Sequence, residues 1–468
     1  MIKKTKVVAT IGPATWDKSI LQEMINNGMN VARINASFAD YDELKRVSSL
    51  IRSLSSDVAL MLDTKGHKIR ISDFKNERVL KDDQKFSLYT KPIKDKIYLV
   101  TESNINLESQ IPKDTNILID DGLIILKVVD KKENEIICKV IKGGILKRGK
   151  TVNIPGIHIE FPEISKKDFE DISYAKELKF DFVAASFVRN VNDVKAVKKV
   201  LGESGIKVIA KIEDMEGVTN FDDILNEVNG IMIARGDLGV EIAAEKVPIL
   251  QKIFIEKCNN IGKPVIVATQ MLQSMIENIT PTRAEVNDVA NAILDGADAI
   301  MLSEETSTGK YPSESVSIMN KISLEIEKSV ETKIRPSSPL AKPTTNAIAK
   351  AVIDSCETLP IDKILVATAT GTTAITIARF RPKQPIYAFT KDEFSKRKLS
   401  MSRGIISDIL EISSSTRDTG VQSLVRTAKN NGHVSDSDLV IVVAGANIMG
   451  QGETNMFEIN RVEQILNE

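Results

Sequence analysis

The sequence predicts a (β/α)₈ barrel that carries an inserted small β-barrel lid domain and is followed by a separate C-terminal α/β domain. Three observations lead there. Eight short apolar segments recur with amphipathic stretches between them, the third and fourth are separated by far more chain than a βα loop needs, and a Pro/Ser/Thr-rich stretch near residues 334 to 345 precedes a second series of alternating elements.

The eight segments are KVVATIG from Lys6, NVARIN from Asn30, VALMLDTKG from Val58, FDFVAASFV from Phe180, KVIAKIE from Lys207, GIMIARGD from Gly230, KPVIVATQ from Lys263 and DAIMLSEE from Asp298. Each is apolar on both faces, as a buried parallel strand is. Amphipathic runs such as DKSILQEMINNG and DVKAVKKVLGESG close on glycine and restart in a strand. A doubly wound sheet is the alternative fold. Within the long gap, NILIDDGLIILKVVD and NEIICKVIKGG alternate between apolar and polar residues, with turn residues between them. An insertion after strand three emerges at the C-terminal face, so it would cover the barrel mouth. The expected division is 1–70 and 156–335 for the barrel, 71–155 for the lid and 345–468 for the last domain. In that last domain the expected elements are helix TNAIAKAVIDSCETL, strand KILVATATG, helix TTAITIARF, strand PIYAFT and strand DLVIVVAG.

Composition narrows the classes. The 468 residues include 63 Lys plus Arg against 64 Asp plus Glu, so a net charge of -1 speaks against a general nucleic-acid or anionic-membrane binder. Hydrophobic residues at 42% and charged residues at 27% describe a globular chain. Cys138, Cys258 and Cys356 are widely spaced and form no zinc-ligand pattern. Gly12-Pro13 ends the first apolar run too early for a signal-peptide core, and no run reaches membrane-span length, so a cytoplasmic protein is expected.

Strand ends carry the chemistry of such a barrel. Lys211 and Glu213 are two apart, so they point the same way at the mouth. The following strand ends in ARGDLG, where Gly236 and Gly239 permit close approach of a ligand to the backbone and Asp237 adds a second carboxylate. Two carboxylates suit Mg²⁺, which keeps waters and draws further oxygens from a phosphorylated substrate. Lys211 would oppose developing negative charge, although an interior salt bridge is the plainer reading of it. Arg33, Asn35 and Ser37 end strand two, Asp63 and Thr64 end strand three, Thr269 and Gln270 end strand seven, and Ser303, Glu304 and Glu305 end strand eight. Together with Arg70 they describe a pocket for a small, highly anionic substrate and suggest phosphoryl transfer.

These residues resemble the pyruvate kinase family through KTKVVATIGPAT, VARINAS, LDTKG, AKIEDMEGV, IMIARGDLGVEI, KPVIVATQMLQSM, PTRAEVNDVANAILDGADAIMLS and the late GETNM. The resemblance spans all three expected domains. It implies transfer of the phosphoryl group of phosphoenolpyruvate to ADP, giving ATP and enolpyruvate, which is protonated to pyruvate. It further implies that Lys211 contacts the transferring group, that Glu213 and Asp237 hold Mg²⁺ or Mn²⁺, and that a second Mg²⁺ arrives with ADP. The backbone at Ala234, Arg235 and Gly236 would hold the substrate carboxylate, and Arg33 and Arg70 the phosphates. Thr269, with water and Ser303, would serve the protonation. A homotetramer is likewise implied.

Three departures from the family pattern stand out. LDTKGHKIR puts Lys68 where the family usually has Glu; members with Glu generally need K⁺, held by residues matching Asn35, Ser37, Asp63 and Thr64. The expectation is that the Lys68 ammonium replaces K⁺, the alternative being that it points to solvent. Thr64 keeps the K⁺-dependent pattern while Ile71 leans the other way. Phe38 stands where His is usual near the adenine pocket, and Glu304 where Gly is usual. In the last domain Thr368, Thr370, Gly371, Thr372 and Thr373 sit between a strand and a helix, resembling the family's effector loop; they could hold a sugar phosphate or merely cap the helix. Fructose 1,6-bisphosphate, ribose 5-phosphate with AMP, or no effector are all compatible. The rival functions are a metal-dependent pyruvate- or enolate-handling lyase and a catalytically silent sugar-phosphate-binding paralogue.

Overall fold

The computed structural model describes residues 2–101, 105–410, 417–445 and 454–467. Eight parallel strands close into a barrel: Lys6–Ile11, Val31–Asn35, Ala59–Asp63, Phe182–Ala185, Lys207–Ile212, Gly230–Ala234, Val265–Ala268 and Ala299–Leu302, each paired with its chain neighbour and the last with the first. All eight fall within the segments expected from the sequence. The interior is packed by Val8, Val31, Met61, Phe182, Ile209, Met232 and their neighbours, and Met401 of the C-terminal domain joins this cluster. Intervening helices cover the outside through a second apolar layer that includes Leu21, Phe180, Phe221 and Phe254.

The inserted lid is a seven-stranded antiparallel sheet with a two-stranded ribbon, over its own apolar core. The two edge strands, Lys85–Tyr89 and Leu99–Val100, are brought together by a bridge between Tyr89 and Tyr98, so the sheet curls almost into a closed barrel. Strand Ile69–Ile71 already pairs within this sheet, and strand Thr151–Asn153 pairs back with it. The crossover into the lid is clasped from below. Asp168, in the first turn of helix Lys166–Glu177, accepts the Lys65 N–H at 3.0 Å and the Gly66 N–H at 3.2 Å.

The C-terminal domain is a five-stranded sheet, four strands parallel and the edge strand Thr454–Arg461 antiparallel, with apolar clusters on both faces. The five elements expected there are present; strands Ile405–Ile409 and Thr454–Arg461 and helices Glu393–Lys398, Arg417–Asn430 and Val462–Asn467 are among the additions. The proline-rich connection is pinned: Arg335 donates to the Arg379 carbonyl at 2.6 Å and to Asn260 at 3.0 Å, and Ser338 donates to the Ile261 carbonyl.

Candidate active site

The barrel interior determines which side chains reach the mouth. Val8, Val31, Met61, Ala184, Ile209 and Met301 face the interior, and strand side chains repeat every second residue. Two positions on from an interior residue therefore lie Thr10, Arg33, Asp63, Ser186, Lys211 and Ser303. The uppermost layer of the barrel is polar on six strands, with Ala234 and Ala268 completing it on the other two.

Asp63 is the hub of that layer. It is 1% exposed and accepts Arg33 Nε at 2.6 Å and Lys211 Nζ at 2.9 Å. Burial would raise its pKa, but the Arg33 and Lys211 cations outweigh burial and hold the carboxyl below its usual range. Arg33 also donates to Thr10 Oγ1 at 2.7 Å. Lys211 donates to Ser186 Oγ at 2.7 Å and lies 3.0 Å from Glu213 Oε1. Burial disfavours its charge, yet Asp63 and Glu213 prevail and keep the ammonium protonated. Both cations are thus held in place at the centre of the mouth.

Glu213 is in a different position. Its Oε2 accepts the Phe187 N–H at 2.6 Å, while Oε1, also buried, has the Lys211 contact but no well-directed hydrogen bond. Burial pushes this carboxyl up to about 7, with Asp237 adding to the shift and Lys211 opposing it. A buried carboxylate oxygen with spare lone pairs and a second carboxylate close enough to perturb it is what a divalent cation would satisfy. Among the described residues no group of three or more His, Cys, Asp or Glu side chains is arranged to hold a metal. A two-carboxylate site that leaves its other positions to substrate and water fits that donor set.

Asp237 lies in the first turn of helix Arg235–Glu241, and the Lys68 ammonium rests on its Oδ1 at 3.1 Å. Lys68 therefore does not simply point to solvent. Its ammonium also lies 5.1 Å from the centre of the Phe187 ring. Asp121, from the lid, feels the same neighbourhood: burial and then Asp237 push its carboxyl up, with Lys68 opposing. Asp121 of the lid thus lies within electrostatic reach of Asp237 and Lys68.

Thr269 and Gln270 take left-handed backbone at φ +72 and +54, unusual for residues other than glycine and strained for a β-branched one. The strain is supported. Arg235 donates to the Thr269 carbonyl at 2.7 Å and pairs with Asp288 at 2.7 Å, while Thr269 Oγ1 accepts the Gly236 N–H at 2.8 Å. A Cβ on Gly236 would lie 3.4 Å from Thr269 Oγ1, a tight fit. At Gly239 a Cβ would meet no protein atom within 4 Å, so the backbone there faces open space.

Other expected residues take more peripheral places. Asn35 and Asp63 are paired across adjacent strands, Asn35 Oδ1 accepts the Ser37 N–H at 3.0 Å, and Thr64 Oγ1 accepts the Ser186 N–H at 3.0 Å. Ser303 gives its N–H to Glu305 at 2.7 Å, and Glu305 also takes the Leu272 N–H at 3.1 Å, so Glu305 organises a loop. Glu304 is exposed, with Gln273 as its contact at 3.4 Å. Arg70 lies on the lid and donates to the Gly149 carbonyl at 2.9 Å, away from the Arg33 cluster. Phe38 is 85% exposed. In the last domain Thr368 Oγ1 accepts the Gly371 N–H at 3.0 Å, Thr370 and Thr372 share a hydrogen bond of 2.9 Å, and Thr373 bonds Thr454 at 2.5 Å. Gly371 has φ +86, and a Cβ there would meet Leu399 at 2.6 Å. Gly452 and Glu453 of the GETNM motif lie outside the described residues.

The sequence matches the family profile "Pyruvate kinase, barrel domain" over residues 2–316 and "Pyruvate kinase, alpha/beta domain" over residues 346–460. The chain belongs to the pyruvate kinase family. It is 40% identical to the pyruvate kinase of Geobacillus stearothermophilus over 100% of this chain and 81% of that one. It is also 40% identical to that of Clostridium acetobutylicum, over 99% of this chain and 100% of the relative. Membership makes the enzyme a phosphotransferase and disfavours the lyase and silent-paralogue readings. No described helix is long and apolar enough to cross a membrane. Ser186, Thr10 and the Phe187 N–H were not anticipated at the site; counting by twos from Ala184 and Val8 would have found the first two.

Proposed function

We propose that the mouth of the barrel transfers the phosphoryl group of phosphoenolpyruvate to ADP around the fixed Lys211 ammonium, which is the observation that carries the reading. The terminal phosphate oxygen of ADP attacks phosphorus, the bond to the enol oxygen breaks, and Lys211 opposes the negative charge left on the enolate. Arg33, buttressed by Asp63 and Thr10, faces the phosphoryl oxygens, and Arg70 reaches the phosphates from the lid only after leaving the Gly149 carbonyl. The substrate carboxylate lies against the backbone at Ala234 to Gly236. Thr269, with water and Ser303, relays the proton to the enolate carbon.

Glu213 and Asp237 would hold Mg²⁺ or Mn²⁺, and a second Mg²⁺ accompanies ADP. The metal supplies Lewis-acid neutralisation of phosphoryl and enolate oxygens. The division into 1–70 and 156–335 for the catalytic barrel, 71–155 for the lid and 345–468 for an effector domain goes with this reading. So do a homotetramer, a cytoplasmic location, and a sugar-phosphate site at Thr368 to Thr373.

K⁺ is dispensable in this reading, because Lys68 brings a tethered positive charge where the usual Glu requires a free cation beside Asn35, Ser37, Asp63 and Thr64. Glu with K⁺ sums to zero and Lys to plus one, so the local field is more positive than in the K⁺-dependent form. Steady-state assays with phosphoenolpyruvate, ADP and Mg²⁺ test the whole. Pyruvate should appear only with ADP, and replacing K⁺ by tetramethylammonium at constant ionic strength should leave turnover within about twofold, the size of a surface ion-pair effect. Loss of activity in tetramethylammonium would reject the Lys68 reading alone. A panel of sugar phosphates in the same assay tests the effector loop.

A further inference from the structure

Lys68 has a second consequence, which rests on the assignment of Asp237 as a metal ligand. Its ammonium is 3.1 Å from Asp237 Oδ1 and 5.1 Å from the centre of the Phe187 ring. The two side chains are only partly exposed, at 21% and 30%. Phe187 is itself held in left-handed backbone, φ +51, and gives its N–H to Glu213 Oε2 at 2.6 Å. The seat occupied by the ammonium is therefore walled by one metal carboxylate and by the residue that orients the other. We propose that Lys68 is a tethered stand-in for the divalent cation: it rests on Asp237 while the metal is absent and must withdraw when the metal binds.

Position gives this exchange a mechanical side. Lys68 immediately precedes strand Ile69–Ile71 of the lid, whereas Asp237 belongs to the barrel. The ion pair ties lid to barrel, and a divalent cation arriving at Asp237 unties it. Metal binding is then weaker than the two carboxylates alone would give, and it is coupled to the freedom of the crossover beside Gly66.

Manganese binding to the full-length enzyme without substrates tests the exchange. Free Mn²⁺ is followed by electron paramagnetic resonance in a tetramethylammonium buffer, so that no K⁺ enters the comparison. Lys68→Met should bind Mn²⁺ about threefold to tenfold more tightly than wild type, since it removes both a competing ion pair and a repelling charge. Lys68→Arg, which keeps the charge, should bind as wild type does. Lys68→Gln repeats the test should the Met variant fold poorly. Asp237→Asn separates the two assignments. If it binds Mn²⁺ as wild type does, the metal reading fails and this inference with it. If Asp237→Asn loses Mn²⁺ while Lys68→Met binds no tighter than wild type, the metal reading stands and the stand-in is overturned.

Discussion

Lys211 gains its orientation from three neighbours, of which Ser186 is the one that carries no charge. Removing that hydroxyl leaves the ammonium paired with Asp63 and Glu213 but free to shift toward either. Ser186→Ala should lower kcat by about tenfold, as loss of a hydrogen bond to a charged group does, while Mn²⁺ affinity stays near that of wild type. An unchanged kcat would remove Ser186 from the site. At this scale the sequence is most legible where a charge sits at a strand end. Lys211, Glu213, Asp237 and Arg33 stand out at strand ends, whereas Ser186 and Thr10 are neutral and look like any hydroxyl that satisfies backbone. What the sequence alone could not convey was pairing: that Lys68 would rest on Asp237, and that Arg70 would stay with the lid carbonyl of Gly149.

Among the elements, helix Arg283–Asp295 has the most complete start. Thr282 Oγ1 accepts the Glu285 N–H, Glu285 returns a bond to the Thr282 N–H at 2.8 Å, and Glu285 also takes the Ser274 N–H at 2.6 Å. This helix bears Asp288, the partner of Arg235, so its start helps to fix the strained Thr269. Thr282→Ala should cost about 1 kcal/mol, read as a lower midpoint of thermal unfolding. The barrel strands were legible because both faces are apolar and each run is short. Strand Thr454–Arg461 was not: TNMFEINR lies at an antiparallel edge, half exposed, and never forms an apolar run. Helix Arg417–Asn430 has Gly420 in its first turns and a weakly apolar stripe. The anchoring of the proline-rich connection is not legible in the sequence because its anchors, Arg335 and Ser338, are polar residues whose partners are distant in sequence.

For the molecule as a whole, the junction between barrel and C-terminal domain holds several buried cations. Lys6 donates to the Ile405 carbonyl at 2.6 Å, and burial lowers its pKa from 10.5 to about 8 against the pull of Glu327 and Asp298. Between those two values the unfolded chain holds a proton that the folded chain has released, so folding stability from this group rises with pH across that interval. Below about 8 both states are charged and the full penalty of burying the cation is present. The thermal midpoint of wild type relative to Lys6→Met should therefore climb from pH 8 toward 10, by an amount on the order of 3 kcal/mol in free energy at most. A difference that stays flat with pH would show that Lys6 remains charged in the fold. The near-zero net charge gave no hint of such local concentrations, because cations and carboxylates are segregated to the mouth and the junction.

Met401 makes the two large domains dependent on one another. It belongs by sequence to the C-terminal domain, yet it fills the apolar interior of the barrel, and Asp298, at the entry to the last barrel strand, accepts Arg381 at 2.9 Å and the Arg403 N–H at 3.0 Å beside it. The barrel is thus stoppered from underneath by the domain that carries the threonine loop. A chain cut near residue 335 would lose that stopper, leaving a void among Val8, Val31, Ala59 and Ala299 and an Asp298 carboxylate stripped of Arg381 and the Arg403 N–H, with the Val265 N–H still donating to it. Barrel and C-terminal domain should consequently melt as one body, and any displacement of the C-terminal domain would be felt first at the floor of the barrel, beneath the Asp63–Lys211 layer.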